Sequence, residues 1–320
     1  MAQRSGSPWR GCGIVFLKEL SDHLHGARML ILEWLVLLTG VGAVFAAIQG
    51  LRLTTAQDSF LFLHLFTDAR PPMPSFAGVL VFLVPLMAIG LGFDSINGEF
   101  NRRTMSRVLA QPIYRDALLF GKYLASLTTL AVALLTLWLL VVGLGLVTLG
   151  VPPSGDELLR CAVFLFVCIV YGGFWLALAM LGSVLFRSAA TAALGALGVW
   201  LFLSLLWPML GQFLAALIYP SDMAVLLGVP SVEQMQLQQV LAHFSPGTLF
   251  EEAVVGLLNP ATRAFGLVFA EQMQGAVRGA PLPFLQSVLL VWAQVTGLVA
   301  GAILLFVAAY VSFQRQEVRA

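Results

Sequence analysis

One charged interval, set between apolar runs long enough to cross a bilayer, constrains this chain more than any other feature. Phe76 to Phe93 carries no charged side chain, and neither does Leu124 to Leu149. Between them lie Asp94, Glu99, Arg102, Arg103, Arg107, Arg115, Asp116 and Lys122. A charged side chain at the bilayer centre costs roughly 2.5–3.5 kcal/mol on insertion scales. Five basic groups therefore hold this stretch in water, and their sign assigns it to the cytoplasmic side. The rest of the composition agrees: 10% of the residues are charged and 59% are hydrophobic. Soluble domains carry about 25% charged residues. The expected fold class is all-α, a polytopic membrane protein with six transmembrane helices in one domain spanning residues 1–320.

Taken in order, Ile14 to Arg28 spaces Leu17, Leu20 and Leu24 at helical intervals, with Lys18, Glu19, Asp22 and His23 elsewhere on the wheel. That pattern predicts an interfacial amphipathic helix over 14–28. Met1 to Gly13 holds Arg4 and Arg10 without a short apolar core and cleavage site behind it, so the first span is the expected targeting element. The spans follow at about Met29–Leu51, Phe76–Phe93, Ala117–Leu149, Leu158–Phe186, Ala189–Leu217 and Phe284–Phe313. Trp207-Pro208 is an expected kink in the fifth. Residues 220–283, rich in Gln and broken by Pro and Gly, form an expected extracytoplasmic segment with weak helical patterns at Val232–Phe244 and Thr248–Leu258.

Orientation comes from counting. The N-terminus (Arg4, Arg10, Lys18, Arg28), the charged loop, Arg187 and the tail (Arg315, Arg319) hold twelve of the 17 basic residues. Arg52, Arg70, Arg160, Arg263 and Arg278 are spread over the other side. The positive-inside rule then places both termini and the loop in the cytoplasm, for a multi-pass protein of the inner membrane.

Several functions are disfavoured by what the sequence lacks. Net charge is +1, which gives no reason to expect a nucleic-acid partner. The three cysteines form no CxxC pair, the methionines no MxxM cluster, and the four histidines fall in polar connections, which leaves no expected metal or haem site. Gly121-Lys122 is not a phosphate loop, because positions 116 and 123 are Asp and Tyr. Of the carboxylates, only Glu33 and Asp94 approach the membrane interior, both near span ends, which weakens an ion-coupled carrier.

Within the loop, Phe100, Thr104 and Val108 recur at four-residue spacing, as do Met105 and Leu109, and Pro112 ends the pattern. Such a helix can lie under the bilayer as an anchor or dock into a cleft on a soluble partner. The arrangement resembles ABC-2 type permeases, the membrane subunits of type V ABC transporters. The resemblance rests on Phe93-Asp94, Gly98-Glu99, Arg103-Thr104, Val108-Leu109, Gln111-Pro112 and Gly121-Lys122. It extends to Lys18-Glu19-Leu20 with Asp22, to Ser245-Pro246, and to Leu257-Leu258-Asn259-Pro260. Arg103 stands where the family usually has Gly, a change that a continuous helix would tolerate.

The resemblance implies a non-catalytic permease subunit that couples ATP hydrolysis by a separate nucleotide-binding subunit to export. A coupling helix over 96–112 would enter that subunit, with Glu99, Phe100, Arg102, Arg103, Thr104, Arg107, Pro112, Gly121 and Lys122 at the interface. ATP and magnesium would be held by the partner, and this chain would bind no cofactor. The other implied partners are a second copy of the chain, or a homologous permease, and membrane lipid. Gly297 and Gly301 form a GxxxG suited to helix packing. Two alternatives are a membrane scaffold that holds a cytoplasmic protein without moving substrate, and a secondary carrier.

Overall fold

The computed structural model describes residues 11–51, 60–69, 74–105, 114–150, 152–220, 230–263, 265 and 281–316. Within them the secondary structure is helical, with no strands. The helices are α1 (Cys12–Leu24), α2 (Ala27–Leu51), α3 (His64–Thr67), α4 (Phe76–Gly92), α5 (Asn97–Asn101), α6 (Arg115–Leu149) and α7 (Gly155–Leu185). They continue with α8 (Ala189–Leu201), a π-helical turn (Phe202–Leu206), α9 (Trp207–Ile218), α10 (Val232–Ala242), α11 (Pro246–Leu258) and α12 (Phe284–Arg315). Five helical units are long and apolar enough to cross a membrane: Phe76–Asn101, Arg115–Leu149, Gly155–Leu185, Ala189–Ile218 and Phe284–Arg315. The sixth expected span falls on α2, a 25-residue helix whose described apolar stretch, Leu37–Gln49, is shorter than a crossing.

Helix α7 is the central pillar, packed by α12, α4, α6, α11 and α8. It buries Phe164, Cys168, Tyr171, Trp175 and Leu176 against Leu80, Val84, Met87, Leu130 and Phe250. Ser154 starts it with a capping box: its hydroxyl accepts from the Glu157 N–H while its own N–H donates to Glu157 Oε2. The other oxygen, Oε1, accepts the Phe62 N–H at 2.9 Å, which fastens the segment before α3 to the same helix start.

One turn further in, Arg160 is fully buried. Its Nε donates to Asp156 at 2.7 Å, and Nη1 to the Leu257 carbonyl and Ser287 Oγ, both at 2.9 Å. Nη2 reaches the Leu282 carbonyl at 2.6 Å. The planar guanidinium thus joins the end of α11, the start of α12 and α7. The sequence offered Arg160 only as a charge outside the membrane; its donors are all turned inward.

The fifth expected span is continuous but not uniform. Pro208 has no N–H and its ring crowds the preceding turn, so the backbone widens into the π-helical turn at Phe202–Leu206. The Trp207 N–H then bonds the Phe202 carbonyl, which leaves the Leu203 carbonyl without a helical donor. Ser245 Oγ donates to it at 3.0 Å, and Trp207 Nε1 donates to the Leu241 carbonyl at 2.7 Å. These two bonds seat the α10–α11 turn beside Leu203, about 21 Å along a helical unit of about 45 Å. The described part of 220–283 therefore returns into the bundle to about half its depth, further than a wholly external segment would.

Replacing Arg160 by Met is expected to cost about 3–5 kcal/mol, because Asp156, two carbonyls and Ser287 lose their buried donor together. Arg160→Lys should restore only a minor part, since an ammonium cannot serve three directions in one plane. Thermal unfolding in detergent reads both variants; an unshifted midpoint for Arg160→Met would refute the stapling role.

Candidate functional site

The charged loop begins where α4 ends. A turn over Phe93–Ile96 leads into α5, a single turn of helix ending at Arg102. Ser183 near the end of α7 holds the junction: its Oγ accepts from the N–H groups of Ile96 and Asn97 at 2.9 and 3.2 Å. Asn97 Nδ2 donates to the Phe186 carbonyl at 3.3 Å. Ile96 and Met105 are buried in a second apolar cluster with Val15, Leu118, Leu119, Met180, Val184 and Phe313. Phe100 packs half-buried on the same cluster.

The structure breaks the helix expected over 96–112. Arg103 has φ 55°, in the left-handed region that favours glycine, and the Thr104 N–H turns back to the Glu99 carbonyl at 3.0 Å. Thr104 Oγ1 donates to the same carbonyl at 3.2 Å. Position 103 is thus a helix stop, and a non-glycine side chain there bears on backbone strain rather than on helix propensity. Arg107 and Pro112 lie outside the described residues.

Glu99 does not point to solvent. Glu99 Oε1 lies 2.7 Å from Lys122 Nζ, and Glu19 Oε1 of α1 lies 2.8 Å from the same nitrogen. The Lys122 side chain is 4% exposed, and Glu19 and Glu99 are 12% and 14% exposed. Gly121 makes this possible: a Cβ there would come within 3.0 Å of the Val15 side chain and 3.1 Å of the Cys12 carbonyl. Helix α1 can therefore lie directly on α6, and Val15, Glu19 and His23, four residues apart, face it. His23 Nε2 sits 3.1 Å from Ser126 Oγ one turn beyond Lys122.

A buried ammonium shared by two carboxylates joins α1, the loop and α6, and it offers no nucleophile or acid–base chemistry. Of the seven described residues expected at the partner interface, only Arg102 and Arg103 are exposed, beside Asn101. Glu99, Gly121 and Lys122 instead support the tip from beneath. Glu19, His23, Ser126 and Ser183 were absent from the expected site. The spacing of Val15, Glu19 and His23 against that of Lys122 and Ser126 was the available signal. Gly301 packs against the Phe174 ring and Gly297 against Leu249, so both GxxxG glycines serve contacts within the chain.

A second polar group lies at the α10–α11 turn. His243 Nε2 lies 3.0 and 3.1 Å from the two Glu252 oxygens, and Gln294 Nε2 of α12 donates to Glu252 Oε2 at 3.0 Å. Gln294 Oε1 is buried with no hydrogen-bond partner among the described residues. Sequence reasoning put His243 in an outer connection; the hairpin carries it inward. Among the described residues no group of three or more His, Cys, Asp or Glu is placed to hold a metal ion.

Burial by itself would raise the Glu19 carboxyl, but the Lys122 ammonium, with Lys18, outweighs it and holds the group below its ordinary 4.5. Burial, against the pull of Glu19, holds the His23 imidazole below its ordinary 6.5. Undocked His23 thus takes a proton more readily than docked His23, so the seating of α1 should weaken as pH falls below about 6.5. Glu19 adds its own loss as pH falls from about 4.5 through its lower docked value. A nitroxide at the exposed Leu17 should become more mobile on acidification, and at neutral pH in Lys122→Met. Unchanged spectra in both would remove the ion group from its proposed role.

Comparison with known proteins agrees with this architecture. The family described as "ABC-2 family transporter protein" matches residues 14–318. Among curated proteins, the chain is similar to "Probable ABC transporter permease protein NosY" of Pseudomonas aeruginosa, 30% identical over 197 residues. That alignment covers 59% of this chain and 66% of the relative. It is also similar to the protein of the same name from Stutzerimonas stutzeri, 31% identical over 192 residues, covering 57% and 63%. The alignments span just under two thirds of these relatives' own lengths. The family match runs over almost the whole chain, from within α1 to the tail beyond α12: this protein belongs to the ABC-2 family of transporter proteins.

Proposed function

We propose that the chain is the membrane-spanning permease subunit of an ATP-driven exporter, powered by a separate nucleotide-binding subunit that docks on the Asn101–Arg103 tip. The observation that carries this reading is the contrast within one loop. Its outer end presents two exposed arginines, while its inner end is fixed by Ser183, Lys122 and the Ile96–Met105 cluster. A force on such a tip cannot be absorbed by local bending. It is passed to α4 through the chain, to α7 through Ser183, and to α6 and α1 through Lys122. Packed helices driven in this way move as rigid bodies. The arginines suit carboxylates on the partner, with charge-assisted bonds.

Substrate then passes between two membrane subunits, lined chiefly by α4 and by α8–α9. Both termini and the tip face the cytoplasm, in the inner membrane, and catalysis belongs to the partner. This family reading is supported by the match over residues 14–318 and by the permease names of the relatives. A second reading, a carrier driven by an ion gradient, draws on the polar group of His243, Glu252 and Gln294 within the bundle, since polar groups inside a membrane commonly serve transported ions. ATP dependence separates the two.

Arg102→Glu with Arg103→Glu should lower co-purification with the cognate ATP-binding subunit at least tenfold and leave the permease's own thermal midpoint unchanged, because both side chains are exposed. Undiminished co-purification and ATP-dependent turnover would overturn the docking assignment. A cysteine at the exposed Gln236 should react with an impermeant maleimide only from the extracytoplasmic side. Labelling from the cytoplasm would invert the proposed topology.

A further inference from the structure

Helices α6 and α12 both pack along α7 but touch each other only slightly, leaving an open groove of about 690 Å³ between them. Its lining is apolar apart from one end. Tyr123, the polar side chain within it, spends its hydroxyl on the Gly173 carbonyl at 3.1 Å. Phe306 stands against Phe120 and Tyr123, with ring centroids 5.5 and 4.8 Å apart, and forms one wall. The floor is Gly173, where a Cβ would meet Tyr123 Oη at 3.1 Å.

The groove has a length and a direction. On α6 it runs from Asp116 to Leu127, and on α12 from Tyr310 to Val299. Each stretch spans about 16 Å at the helical rise of 1.5 Å per residue. One leaflet of a hydrocarbon core about 30 Å thick is about 15 Å deep. The polar end lies level with the loop, where α6 begins, and the apolar end lies near the middle of the bundle. The polarity therefore runs as it does in a lipid of the leaflet on the loop side.

The mouth also has a charge. Asp116 accepts from Gln314 Nε2 and is hydrogen-bonded to Tyr310, both neutral, and no Lys, Arg or His pairs with it among the described residues. The neighbouring Arg115 is turned to the Gln314 and Gln316 carbonyls. An aspartate in the first turn also complements the α6 dipole, which needs no ligand. That role does not account for a carboxylate standing at headgroup level over an apolar trough of one-leaflet depth.

We propose that this groove is a binding site for one acyl chain of an aminophospholipid, whose ammonium pairs with Asp116. The headgroup is selected by the carboxylate and the chain by the aromatic wall. The site joins the ends of α6 and α12 that flank the loop, so an occupied groove fixes their separation.

Full-length protein in nanodiscs should be exposed to phosphatidylethanolamine or phosphatidylglycerol carrying a diazirine near the end of one acyl chain. Phosphatidylethanolamine is expected to label peptides containing Leu127, Val170 or Val299 at least threefold more than phosphatidylglycerol does. Ala302→Trp should abolish groove labelling, and Ala302→Leu should reduce it if the larger variant does not fold. Asp116→Asn should remove the headgroup preference and leave the chain labelling in place, a result that a helix-dipole role would not give. Labelling spread evenly over the lipid-facing helices, or insensitive to both Ala302 variants, would overturn the site. So would disulfides between copies carrying Ile303→Cys, which would show a second subunit covering the groove. A headgroup preference unchanged in Asp116→Asn would overturn the pairing with Asp116.

Discussion

A lysine ammonium buried between two carboxylates is the interaction on which the loop end of this protein depends. Lys122 alone at that depth would cost several kcal/mol, and so would either glutamate. Together they form a contact that none of the three can leave cheaply. Because Glu19 comes from α1, Glu99 from the loop and Lys122 from α6, the contact is also a mechanical joint. It exists only because Gly121 lets α1 approach α6 closely enough for Glu19 to reach. Lys18 Nζ lies 2.9 Å from the same Glu19 oxygen and brings a second cation to the group, while Glu99 Oε2 is buried without a partner among the described residues.

The far end of the bundle is organised on the same principle with a different cation. Arg160 gathers α7, α11 and α12 through a planar fork, where Lys122 serves as a point charge. Between them runs α7, whose aromatic face, with Tyr171 stacked on Phe250 at 4.3 Å, contacts the re-entrant hairpin. Displacement at the loop therefore has a stiff route across the membrane, from Ser183 along α7 to Arg160. Close-packed helices shift as units rather than deforming. The π-helical turn opens the backbone ladder of the fifth span, and the hairpin is seated there.

The expected loop site illustrates how far pattern reading goes. Glu99, Gly121 and Lys122 stood out because charge and glycine are rare in so apolar a chain, and the structure brings all three together. Their role as exposed contacts did not follow from the pattern. A side chain's direction is set by what packs above it, and Glu19 of α1 lies 80 positions before Glu99. Arg103 marks the same limit. Helical spacing at Phe100, Thr104 and Val108 suggested continuity, yet a left-handed residue sits inside the pattern. His243 and Glu252 were nine positions apart in a segment read as external. Only the π-helical turn, opened by Pro208, provides the carbonyl that draws their hairpin inward.

By itself the sequence determined that the chain is helical and membrane-spanning, where the long apolar helices run, and which interval must stay in water. Those properties follow from local composition and period, which every residue expresses regardless of its distant neighbours. The tertiary structure alone decided which charges are spent on one another and which remain free at the tip. It also set how deep the α10–α11 hairpin reaches and where α6 and α12 part to leave a groove. Each of these depends on contacts between segments far apart in the chain, and their geometry is fixed by packing against α7 rather than by any local pattern.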